Sequence, residues 1–112
     1  MFDKLREKLI RPNENSKAYR TIFSKQLDGK SIRYVTERTE QGEEKVIGHQ
    51  GTMLLRGKEL LVICEHETVF RADPRQLCMN PLMSLDGVIL RGMDRITGME
   101  RCILVYYLYY RK

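Results

Sequence analysis

The chain has no tryptophan, only two histidines and only three cysteines among its 112 residues. No glycine precedes Gly29. Each scarcity excludes something. An odd cysteine count (Cys64, Cys78 and Cys102), with no export signal, argues against a disulfide framework and for reduced thiols set among apolar neighbours. No apolar run approaches the roughly 20 residues that a membrane-spanning helix needs. The opening MFDKLREKLIRP is charged throughout and lacks an apolar core, so a secretory signal is not expected and a cytoplasmic location is. A Ser or Cys triad needs a histidine base close to its nucleophile, and neither His49 nor His66 lies in an elbow of the G-x-S-x-G type. Neither a G-x-x-x-x-G-K-[ST] loop nor a G-x-G-x-x-G turn is present, so nucleotide folds are unsupported.

What is present reads as one soluble domain, long enough to bury a core without a metal or disulfide. Hydrophobic residues make up 42% and charged residues 31%, the balance of an ordinary globular protein. The formal charge is +5. Its excess lies early: residues 1–33 carry a net +5, 34–66 a net −2 and 67–112 a net +2. A basic segment of this size can concentrate anions, or can simply keep the surface solvated.

Residues 2–10 place Phe2, Leu5, Leu9 and Ile10 on one side of a helix that Pro12 ends. Residues 17–27 set Ala18 with Ile22 and Tyr19 with Phe23 and Leu27 at i, i+4 steps, before Asp28-Gly29. Tyr19 to Phe23 also alternates, so a strand competes with this second helix. From Gly29 onward the texture is that of an antiparallel meander. Strands are predicted at 31–38, 44–49, 51–56, 59–65, 67–72, 86–94 and 99–110. Gln41-Gly42, Gly57-Lys58 and Thr97-Gly98 supply tight turns, and Gly48 and Gly51 flank Gln50 at a predicted bulge, a kink through which 44–49 can run on into 51–56. Asp73-Pro74 is a helix start and Pro81 a stop, so one or two helical turns are predicted between the strand groups. In the nine-residue apolar run from Cys102 to Tyr110, Ile103 and Val105 alternate with Cys102, Leu104 and Tyr106. Both faces are apolar, as in a strand covered on both sides.

The expected fold is therefore α+β and mainly β. It is a small antiparallel barrel or strongly bent sheet of six or seven strands, with a helical segment at 1–28 and a β-rich core at 29–112. In strand number it resembles the pleckstrin-homology arrangement, which ends in a helix where this chain ends in a strand.

Three chemistries compete. Cys64 and His66, two apart on one predicted strand, share a face, and with His49, Cys78 or Cys102 would begin a metal site. A C-x-H pair with no second pair is a weak zinc signal, and no cofactor is expected. Glu37, Glu40, Glu43 and Glu44 surround the Gln41-Gly42 turn as a solvated hairpin tip. The nucleic-acid reading rests on charge and aromatics, with Arg33, Tyr34, Arg71, Arg91, Arg95 and Arg101 as contacts. VILRGMDRI at 88–96 resembles the second half of the Sm-like RNA-binding motif, whereas the Asp-x-x-Asn core of the first half is absent from 45–66. The leading expectation is a non-enzymatic binding module that self-associates through a sheet edge or an apolar helix, or meets a protein partner. Nucleic-acid binding is the alternative, and a small enzyme or metal protein using His49 or His66 with Cys64 is the second alternative. Peripheral membrane contact is not expected, because the N-terminal apolar face suits packing on the domain itself.

Overall fold

Residue spacing along the chain decides where the backbone turns. The computed structural model describes residues 17–108. The helix expected at 2–10 and Tyr109 and Tyr110 lie outside the described residues. The second predicted helix forms as α1, Lys17–Leu27. Its i, i+4 face buries Leu27 completely and packs Phe23 on the core, while Ile22 stays exposed on the opposite side. Gly29 follows at φ 87 and ties the helix end to the sheet: its amide donates to the Met53 carbonyl at 2.7 Å. Among the described residues no helix is long and apolar enough to cross a membrane.

Seven strands follow: β1 (Ser31–Arg38), β2 (Glu44–Arg56), β3 (Glu59–Cys64), β4 (Glu67–Ala72), β5 (Leu77–Pro81), β6 (Gly87–Asp94) and β7 (Met99–Tyr107). They form one antiparallel sheet in the order β4-β3-β2-β1-β7-β6-β5. A four-stranded and a three-stranded meander thus join where β1 pairs with β7. Gly42, Gly57 and Gly98 take positive φ at the predicted hairpin turns.

The stretches 44–49 and 51–56 run into one another through the kink read between Gly48 and Gly51: they form one strand, in which Gln50 takes φ 41 and the register shifts opposite Val35 and Thr36. Backbone also approaches backbone there: a Cβ on Gly51 would sit 1.7 Å from the Ile63 carbonyl oxygen. The helical connection shrinks to a 3-10 turn, Pro74–Gln76, capped by Asp73 as its residues foretold. Leu77–Pro81, expected within that connection, is a strand instead, because Leu77 and Met79 alternate into the core and are fully buried. Finally, β3 ends at Cys64, and Glu65 and His66 form a two-residue hairpin turn at φ 50 and 72.

The sheet curls but is not closed into a barrel. Connectivity imposes the curl. In a flat seven-stranded sheet the outer strands would lie about 29 Å apart. Ala72 of β4 and Leu77 of β5 are joined by the short linker 73–76, and such a stretch reaches at most about 18 Å. The curl brings β4 against the end of β6: the Arg71 amide donates to Asp94 Oδ1 at 3.0 Å, and the Arg95 amide to the Arg71 carbonyl at 2.7 Å. The concave side holds the core, with Ile32, Val35, Met53, Leu60, Val62, Phe70, Leu90, Ile103 and Val105 buried together. On the opposite face Leu104 is also buried, in register with Thr36 and Ile89. The middle of β7 is thus covered on both sides.

A buried ionic network closes the concave side. Asp94 is fully buried and Arg101 is 12% exposed. Arg101 donates to Asp94 at 2.7 Å, to both Glu37 carboxylate oxygens at 2.8 and 3.0 Å, and to the Val69 carbonyl at 3.1 Å. Asp94 also accepts from the Ile96 and Thr97 amides and the Thr97 hydroxyl. Asp94→Asn should lower stability by about 3 kcal/mol, because it leaves the buried Arg101 charge partly uncompensated; urea unfolding at neutral pH measures it. Glu65→Asn combined with His66→Gly should raise stability by about 1 kcal/mol, since those residues accept positive φ without strain; the unfolding midpoint of the double variant measures that.

Candidate functional site

The residues expected to contact nucleic acid are dispersed by the fold. Arg33 is exposed on β1. Tyr34 stacks on Tyr106, ring centroids 4.5 Å apart and nearly parallel. Arg71 and Arg95 converge on one carboxylate, Glu59. Arg101 is held in the internal network and also lies 6.0 Å from the Phe70 ring centre. Arg91 is exposed, beside a cleft of about 430 Å³ in which Arg38 and Arg101 mix with Glu37, Glu40 and Glu100. The hairpin-tip carboxylates divide likewise: Glu37 turns inward to Arg101, and Glu44 pairs with Arg38 at 3.2 Å and accepts from the Thr36 hydroxyl.

Cys64 and His66 do not share a face, because the strand stops at Cys64 and His66 occupies the turn. Cys64 is buried, and burial, followed by the nearby Glu65 charge, pushes its thiol pKa up. His49 and His66 are both exposed. Among the described residues no group of three His, Cys, Asp or Glu side chains is placed to hold a metal ion.

A different set of side chains converges. Helical spacing puts Arg20 with Ser24, and Thr21 with Lys25, on one side of α1. That side faces the β2–β3 turn and the 3-10 turn across a cleft of about 220 Å³. Leu55 and Pro74 give it apolar walls, and Arg20, Lys25, Lys58 and Arg75 give it four cations against a single carboxylate, Asp73. That carboxylate is already committed. Asp73 caps the 3-10 turn by accepting the Arg75 amide at 2.9 Å, takes the Arg75 guanidinium at 2.8 Å, and lies 3.9 Å from that of Arg95. The Arg75 hydrogen bond holds its carboxyl below the usual aspartate range, against the opposing effect of burial. Lys25 and Lys58 are exposed and have no ion pair among the described residues. Arg20 donates one terminal N–H to the Arg75 carbonyl, while its Nε is buried without a hydrogen-bond partner.

Sequence reasoning missed this cleft because its cations come from three separate segments, Lys25 and Lys58 lying 33 residues apart and Lys58 and Arg75 17 apart. The one available signal was the basic excess of the first third of the chain. Comparison with protein families, curated proteins and solved structures finds no match for this chain.

Two aspartates set the acid limit of the fold. Burial alone would raise the Asp94 pKa, but the bonds from Arg101, the Arg71 and Ile96 amides and Thr97 outweigh it, so Asp94, like Asp73, titrates below the ordinary range. Their stabilisation is complete above the unfolded value of about 4 and is lost as pH falls through the lowered folded values. Urea midpoints measured from pH 7 to pH 2 should therefore drop below about pH 4, and less steeply in Asp73→Asn.

Proposed function

We propose that this protein is a small non-catalytic binding module that takes an anionic ligand into the cleft between α1 and the 3-10 turn. The observation that carries this reading is the cation excess at that cleft: Arg20, Lys25 and Lys58 beside a carboxylate already neutralised by arginine. Enclosure matters as much as charge. Apolar walls at Leu55 and Pro74 lower the local dielectric and strengthen attraction to an anion. The nearby aspartates are held ionised in structural pairs, which suits scaffolding rather than proton transfer.

The edges of the sheet favour this reading over self-association by strand addition. At β4 the Val69 carbonyl accepts from Arg101, and both backbone groups of Arg71 are bonded to the β6–β7 hairpin. At β5 the Met79 carbonyl accepts from the Tyr19 hydroxyl of α1, and Pro81 ends the strand. Short, covered and proline-bearing edges resist pairing with another chain.

Backbone amide NMR at low salt tests the proposal, with acetate, benzoate, benzenesulfonate and phosphate added in turn. At least one of these anions should shift the amides of Arg20, Ser24, Gly57, Lys58 and Arg75, with the shifts reversed by added salt. Lys25→Gln and Lys58→Gln should each weaken binding about threefold, the effect of removing one exposed charge. If no anion moves this set, or if shifts scatter over the surface, the module reading is wrong.

A further inference from the structure

We infer that the ligand of this cleft is a small phosphate monoester, with Arg20 as its specificity-determining residue; this rests on the anion-binding reading above.

Three features select phosphate. The first is the Arg20 guanidinium. One terminal nitrogen donates to the Arg75 carbonyl, which holds the group beside the 3-10 turn. Its Nε–H is buried and unpartnered, and a small shift of the side chain that exposed this donor to an acceptor oxygen would recover the free energy an unmade buried donor costs. A planar guanidinium matches the oxygens of a phosphoryl group.

The second is charge. Lys25 and Lys58 add two unpaired positive charges to that of Arg20. A carboxylate or sulfonate supplies one negative charge, whereas a phosphate monoester carries between −1.5 and −2 at pH 7, as its second pKa is near 6. A dianion offsets more of this surplus than a monoanion does.

The third is shape. The side chains of Leu55 and Pro74 line the same cleft, so the site has somewhere to place a carbon body as well as a charge. Its volume of about 220 Å³ admits a phosphate on one ring.

Isothermal titration of the whole chain distinguishes the outcomes, using phenyl phosphate, inorganic phosphate, benzenesulfonate and benzoate. Phenyl phosphate should bind at least about tenfold more tightly than either monoanion at pH 7.5. That preference should shrink between pH 7 and pH 5 as the ester loses its second charge, while benzenesulfonate binding stays level. Arg20→Lys keeps the charge but removes the Nε–H and the planar fork, and should cost about tenfold in phenyl phosphate affinity. Lys58→Gln, in an exposed turn, should cost about threefold and reads out the site even if the Arg20 variant does not fold. Equal binding of benzenesulfonate or benzoate would overturn the phosphate assignment and leave the anion cleft standing. Inorganic phosphate binding as tightly as phenyl phosphate would overturn the ester. If none of the four probes binds, both readings fall.

Discussion

The pairing of Asp94 with Arg101, inside the curl of the sheet, is the contact on which the rest of this fold depends. Removing two charges from water costs several kcal/mol for each ion. Here the cost is offset because nearly every polar atom finds a partner. Asp94 accepts from three backbone amides, one hydroxyl and one guanidinium, and Arg101 reaches Asp94, Glu37 and a main-chain carbonyl. Those bonds connect β1, β7 and β6, neighbours in the sheet, to β4 at its far edge. A hydrophobic contact would tolerate a range of curvatures. A bidentate ion pair with a fixed set of donors does not. The network therefore sets how far β4 bends toward the β6–β7 hairpin.

The curl leaves a seam between the outer strands, and the seam is where the candidate site lies. The linker from β4 to β5 is too short to let the sheet flatten, so it crosses the seam as a 3-10 turn. α1 packs alongside, covering the edge of β5 through Tyr19 and filling the end of the core with Leu27. Helix, 3-10 turn and β2–β3 turn then bring Arg20, Lys25, Lys58 and Arg75 to one place. The same packing that hides the sheet edges thus gathers positive charge in a partly enclosed cleft. Structure and candidate function share one cause.

Much of the fold was legible in the residues. α1, β1 and β4 fall where periodicity placed them, because each is defined by a local pattern: i, i+4 apolar steps or strict alternation ended by glycine or a polar turn. β5 was not legible, since the Asp73-Pro74 cap and Pro81 frame a short segment that reads as a helical connection. Its burial, not its propensity, made it a strand. Arg101 was misread, and its partner Asp94 passed over, for a related reason. Arg101 shares the alternation of Ile103 and Val105, and Asp94 that of Leu90 and Gly92, so both stood in the inward phase of their strands. An exposed role was assigned to Arg101 from its charge alone, yet a charged residue in the inward phase is paired when a partner exists across the sheet.

The sequence by itself determined six of the seven strands, the helix before them and the glycine-bearing hairpin turns, because these depend on neighbours a few residues away. It also determined that the early part of the chain carries the positive excess. Only the tertiary structure decided that β1 pairs with β7, that the sheet curls without closing, and that Arg71, Arg95 and Arg101 are occupied by carboxylates while Arg20, Lys25 and Lys58 face a cleft. Coulomb attraction and hydrogen bonding act over a few ångströms in space, whatever the separation along the chain. Which charge finds a partner, and which is left for a ligand, therefore depends on how distant segments come together.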